Sequence, residues 1–188
     1  MKLSQVTLSN FRQFFGESTL QFSMDPEQNI TVIHGENGGG KTTLLNALKW
    51  CFYGETDFDT GNDNLLNDHI IATSPIGETL KISVCVDFEH DDKNYTITRE
   101  QTYRKSTDQD IDEIGGNQLV ITWIDEDGSS QQTGNPQNYI KQILPQNMHS
   151  YFFFNGERIE KLAYASSVHE IQNAIRAMMG LEIVERGQ

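Results

Sequence analysis

A chain of 188 residues with 14 basic and 27 acidic side chains, net charge −13, is long enough for one domain with a real core and too short for two large ones. At 36% hydrophobic and 22% charged residues it is not wholesale disordered, and its acidity excludes a generally basic surface that coats nucleic acid, though not a local basic face. Cys51 and Cys85 form no CxxC, the five histidines are scattered, and no run of about 18 apolar residues occurs; a disulfide framework, a metal cluster of protein ligands and a membrane-spanning helix are unsupported. The start alternates rather than forming an apolar block, so it does not read as a signal peptide, and a cytoplasmic location without a membrane partner is expected.

Lys2 to Asn10 alternates around Leu3, Val6 and Leu8 and predicts a half-buried strand. Phe11 to Gly16 turns the chain, and Glu17 to Ser23 returns with Leu20 and Phe22 on one side. Asp25-Pro26 marks a turn. Asn29-Ile30-Thr31-Val32-Ile33-His34 carries apolar residues on both faces, the pattern of a buried central strand. A glycine-rich loop follows, and then Thr43 to Tyr53 predicts a helix, with Leu44, Ala47, Leu48 and Cys51 at helical spacing and Gly54 as its stop. Glu55 to Gly77 reads as a long polar loop with a helical turn near Leu65.

A β region comes next. Thr79 to Phe88 and Tyr95 to Tyr103 predict strands joined by a turn at His90 to Asn94. Arg99, Arg104 and Lys105 cluster here; three charges are weak evidence of a nucleic-acid face, and they equally suit a solvated strand edge guarded by basic side chains. Ser106 to Asn117 reads as a mobile acidic loop whose spacing does not fit an EF-hand. Leu119 to Ile124 is a third strand, and Pro136 to Leu144 a short helix. The chain ends in mostly helical sequence in which Val168, Ile171, Ile175 and Met178 step by 3, 4 and 3, a spacing that suits a coiled-coil seam or ordinary helix packing.

Gly35-Glu36-Asn37-Gly38-Gly39-Gly40-Lys41-Thr42 matches G-x-x-x-x-G-K-[ST], between a predicted strand and a predicted helix. Glycines allow the tight backbone that turns successive N–H groups inward at a helix N-terminus, an anion nest suited to phosphates. In that pattern Lys41 reaches the β- and γ-phosphates, the Thr42 hydroxyl takes Mg²⁺, and Thr43 adds a phosphate contact. The expected ligand is a nucleoside triphosphate, ATP with Mg²⁺, since no NKxD element for guanine is present.

Ser9-Asn10-Phe11-Arg12, the run from Ile33 through the loop to Leu48, and Trp50-Cys51-Phe52-Tyr53-Gly54 together resemble the N-terminal head segment of the SMC-like DNA-repair ATPases, the RecF/RecN/SMC group. The exit Trp50 to Gly54 and the segment Tyr151-Phe152-Phe153-Phe154-Asn155-Gly156-Glu157-Arg158-Ile159 are most similar to the DndD branch, associated with DNA phosphorothioation and phage defence. The resemblance implies an α/β P-loop NTPase: an ABC-type head N-lobe with a mixed sheet, an antiparallel β subdomain, and C-terminal helices leading to a coiled coil. It implies a P-loop part over 1–77, the β subdomain over about 78–133, and the final helices over about 134–188. In such heads a C-terminal lobe of the same protein supplies the remaining catalytic motifs, and two heads sandwich a pair of ATP molecules on DNA. Asn155 stands where the family's Q-loop residue binds Mg²⁺ and the attacking water, although Asn155-Gly156 also suits a hairpin turn. The resemblance places Arg12 near the nucleotide; a surface arginine in a loop is the other reading.

Val120-Ile121-Thr122-Trp123-Ile124-Asp125-Glu126 mimics a Walker B strand, which would put Asp125 on Mg²⁺ and make Glu126 the general base of a compact, self-sufficient P-loop enzyme. The reading preferred here is a hairpin tip, because Asp127-Gly128 is a turn signal and Thr122 interrupts the apolar run. On that reading the chain has a phosphate cradle without a base, and binds ATP with little or no turnover alone. A non-catalytic module that uses nucleotide to gate dimerisation is the remaining alternative.

Overall fold

A computed structural model of the chain describes residues 1–58, 64–125, 127–145 and 152–153. The chain divides into two compact units, Met1–Ile143 and Leu144–Gln188, and the fold below is that of the first. Asn155, Glu126, the rest of the segment from Phe154 to Ile159 and the seam from Val168 to Met178 lie outside the described residues.

The elements run in order β1 (Lys2–Ser9), β2 (Glu17–Gln21), α1 (Lys41–Tyr53), α2 (Asp68–Thr73), β3 (Thr79–His90), β4 (Lys93–Lys105), β5 (Ile111–Glu113), β6 (Gln118–Ile124), β7 (Ser130–Gln132) and α3 (Pro136–Ile143). The strands form one seven-stranded sheet in the order β2-β1-β3-β4-β6-β7, with β5 pairing to β4. Strict alternation along β3 and β4 sends one set of side chains to each face. The registers Val6↔Val86, Val86↔Ile97 and Ile97↔Ile121 align four fully buried residues across four strands. On this face α1 lies over β3 and β4, with Ala47, Cys51 and Phe52 buried beneath it. α3 packs on β6, where Tyr139 stacks on Trp123 with ring centroids 5.0 Å apart. Thr7, Cys85, Thr96 and Thr98 occupy the opposite, half-buried face.

Several expectations need correction. The segment 29–34 is not a strand: both edges of β1 are already taken, by β2 and β3, and it joins no ladder among the described residues. Ile30 and Val32 are 81% and 84% exposed, so the run read as most deeply buried is open to solvent. Every pairing among the described strands is antiparallel, so the parallel component expected beside the glycine loop is not formed there. The acidic loop after β4 contains β5, whose Ile111 pairs with Lys105. The polar stretch after α1 contains α2, N-capped by Asn67, whose side-chain oxygen accepts from His69 N and Ile70 N.

The basic residues of β4 do not guard a solvated edge either. Arg99 and Lys105 are buried on the inward face, and Arg104 alone of the three is exposed. Lys105 Nζ donates to the carbonyls of Ile71 and Ser74 at the end of α2. The Arg99 guanidinium donates from Nε to Cys51 O at 3.0 Å and from Nη2 to Gln137 Oε1 at 2.7 Å, while Gln137 Nε2 donates to Phe52 O at 3.0 Å. Burial lowers the Arg99 pKa below its ordinary value, and arginine nevertheless stays charged at neutral pH. A buried cation therefore satisfies the carbonyl end of α1, where the helix dipole is negative. Gly54 follows with φ +77, and a Cβ there would meet Arg99 Nη1 at 3.2 Å.

Candidate phosphate-binding site

α1 begins at Lys41 on the left-handed Gly40 (φ +94), with no side-chain cap and no acidic residue in its first turn. The N–H groups at a helix start lack intrahelical partners, and no acidic residue of the first turn competes for them. Gly39 N bonds back to Glu36 O at 3.1 Å, closing the loop. Lys41 Nζ folds over the same loop and donates to Gly35 O at 2.6 Å and Glu36 O at 2.8 Å. Gly35, Asn37, Gly38, Gly39, Lys41 and the Thr42 hydroxyl thus share one exposed or half-exposed rim, while Gly40 is buried beneath. Beside it lies a cavity of about 250 Å³ lined by Leu20, Ile33, His34, Gly39, Lys41 and Leu44, among others.

The two threonines have separate fates. Thr42 is exposed, with its carbonyl accepting from Asn46 Nδ2 at 3.1 Å and its hydroxyl available at the rim. Thr43 is buried, and its hydroxyl donates to Gln13 Oε1 at 2.7 Å. The residues fit Mg-ATP: the uncapped N–H groups of a helix start, an ammonium group and an open hydroxyl oxygen are the donor set a metal–triphosphate needs.

Arg12 is turned elsewhere. Its Nη1 donates to Asn64 O at 2.9 Å and its guanidinium lies 4.3 Å over the ring of Phe58. Phe58 follows a segment strapped to α1, since Asp57 N donates to Asn46 Oδ1 and Lys49 pairs with the Asp57 carboxylate. The residues of this turn that do touch the loop's end are Gln13 and Phe14, and nothing in sequence periodicity singles them out. Asn46 and Lys49 were missed for a related reason: both sit on a helix read by its apolar stripe alone.

Asp125 closes a hairpin, with Gly128 N donating to Asp125 O and Asp125 N to Ser129 O. Its carboxylate accepts from Lys93 Nζ and Trp123 Nε1, both at 3.1 Å. In the sheet, β6 is separated from β1 and β2, the strands that precede the loop in the chain, by β3 and β4.

A protein-family model described as an AAA domain matches residues 5–184. The chain is 35% identical over 99 residues to the DNA double-strand break repair Rad50 ATPase of Halobacterium salinarum, covering 53% of this chain and 10% of that protein. It is 33% identical over 91 residues to the chromosome partition protein Smc of Mycobacterium tuberculosis, covering 46% of this chain and 7% of that protein. It thus spans a tenth or less of the length of these relatives. A solved chain from work on ATP-driven dimerization and DNA stimulated activation of SMC ATPases superposes with a TM-score of 0.51 at 12% identity, covering 95% of this chain and 99% of that one. The chain belongs to the AAA domain family, with the P-loop fold of an SMC-type ATPase head and sequence similarity to Rad50 and Smc proteins.

Proposed function

We propose that the chain is the ATP- and Mg²⁺-binding N-terminal lobe of an SMC-like ATPase, whose complete head hydrolyses ATP to drive a conformational change on DNA. The observation that carries this reading is the uncapped, acid-free start of α1 with Lys41 folded over its own loop and the Thr42 hydroxyl open beside it. Gly35 to Gly40 would cradle the phosphates through backbone N–H groups, with Asn37 in the loop and Thr43 at its end. Lys41 would neutralise charge at the β- and γ-phosphates. Thr42 and Asn155 would hold Mg²⁺, which supplies neutralisation of the developing phosphate charge when bound. Arg12 would stand behind the site unless it leaves Asn64 and Phe58.

The partners proposed are a C-terminal lobe of the same parent protein, a second head, and DNA, in the cytoplasm. Support for a completing lobe comes from the exposed apolar residues Ile30 and Val32, a strand-like pattern that pairs with no strand among the described residues. The Rad50 relative is a double-strand break repair ATPase and the Smc relative a chromosome partition protein. DNA repair is the role these names favour; a DndD-like place in anti-phage defence rests on the aromatic segments around Trp50 and Tyr151.

Alone, the chain should bind ATP with background turnover, because no carboxylate is assigned to the cradle as a base among the described residues. A phosphate-release assay on the pure chain and on Glu126→Gln tests this. Equal, background rates are expected. Turnover like that of an ordinary ATPase, abolished by Glu126→Gln, would establish the compact self-sufficient enzyme instead.

A further inference from the structure

The turn between β1 and β2 is held unusually firmly. Asn10 N donates to Gly16 O, and Asn10 Oδ1 accepts from Gly16 N. Arg12, in the left-handed region at φ 52, has its N–H bonded to Leu65 O and its carbonyl accepting from Asn67 Nδ2. A left-handed non-glycine residue is strained and persists where its surroundings fix it. The peptide before Gln13 is therefore fixed in direction. Phe14 presses on the last loop glycine: a Cβ on Gly40 would meet its ring at 2.9 Å and Gln13 Nε2 at 3.2 Å.

The Gln13 carboxamide is oriented by α1. Its oxygen accepts from the buried Thr43 hydroxyl. Its nitrogen, beside Gly40, makes no hydrogen bond within the described residues, and the residue is exposed. The amide thus presents two free N–H donors next to a helix start that has no side-chain cap and no acid.

We propose that Gln13, anchored by Thr43, is a phosphate-contacting residue of this site, its amide nitrogen donating to a phosphate oxygen of the bound nucleoside triphosphate. This rests on the nucleotide reading above and adds a neutral donor to a cradle otherwise built of backbone and Lys41. It also divides the labour of the turn, Arg12 bracing the segment at Asn64 and Phe58 while Gln13 faces the ligand.

The test is calorimetric titration of Mg-ATP into the chain and into Gln13→Glu, Gln13→Leu and Lys41→Ala, at low and high salt. Gln13→Glu keeps an oxygen for Thr43 and replaces the amide donor with a negative charge. It should weaken ATP binding at least tenfold, on the order expected for losing a hydrogen bond to a charged group and gaining repulsion. The loss should shrink at high salt. Gln13→Leu should lose less, with little salt dependence. Gln13→Glu should keep the wild-type melting temperature, whereas Gln13→Leu, which leaves the buried Thr43 hydroxyl without its acceptor, should lower it. Wild-type affinity in Gln13→Glu, or equal and salt-independent losses in both variants, would overturn the contact while leaving ATP binding standing. No ATP binding by the wild type, or full binding by Lys41→Ala, would overturn both readings together.

Discussion

Thr42 and Thr43 are neighbours in sequence and opposites in environment. Thr42 is exposed at the rim of the cradle, whereas Thr43 is buried and spends its hydroxyl proton on Gln13. Thr42→Ala should leave thermal stability within about 0.5 kcal/mol of wild type, as surface changes do, and remove the Mg²⁺-dependent part of ATP affinity, read by titrating ATP with and without the metal. A second residue-scale prediction concerns alkaline pH. Burial raises the Cys51 thiol above its ordinary 9.0 and the Tyr53 and Tyr103 hydroxyls above their ordinary 10.0. The unfolded chain releases these protons at ordinary values while the folded chain holds them. Their contribution is therefore complete below about pH 9 and lost as pH rises further. The melting temperature should fall steadily from pH 9 to 11, and Cys51 should resist alkylation at pH 8 until the protein unfolds.

At the scale of elements, α1 is held at its carbonyl end and along its flank by residues that a reading of apolar stripes passes over. Its carbonyl end rests on Arg99 and Gln137, and its flank on Asn46 and Lys49. Arg99→Met should destabilise the chain by about 1–3 kcal/mol for each orphaned partner, seen as a lower urea midpoint with an unchanged slope. Position alone would have revealed Arg99: it keeps the inward parity of Tyr95, Ile97 and Tyr103 in a strictly alternating strand. Charge made it look like an edge residue. The β3–β4 hairpin, α1 and α3 were legible because their patterns are local. The short β5 and α2 were not, because β5 depends on the β4 edge and α2 on the Asn67 cap.

For the whole molecule, the informative failure is the segment 29–34. Its sequence says core, and its surroundings leave Ile30 and Val32 in solvent. A pattern read from sequence reports the environment a segment is built for, and this chain spans a tenth or less of the relatives it matches. Ile30→Lys with Val32→Lys should therefore change the stability of the chain alone by no more than about 0.5 kcal/mol; on the proposal that a C-terminal lobe covers this segment, the same pair should weaken capture of that lobe in a pull-down. The cradle was legible because its spacing encodes a backbone shape. The Gln13 contact was not, because it joins residues 30 positions apart. The central claim is that this cradle binds Mg-ATP, and the most direct measurement is the calorimetric affinity of the chain set against Lys41→Ala. Saturable binding that falls roughly 10- to 100-fold on losing the ammonium donor is predicted; no binding by the wild type, or undiminished binding by Lys41→Ala, would contradict it.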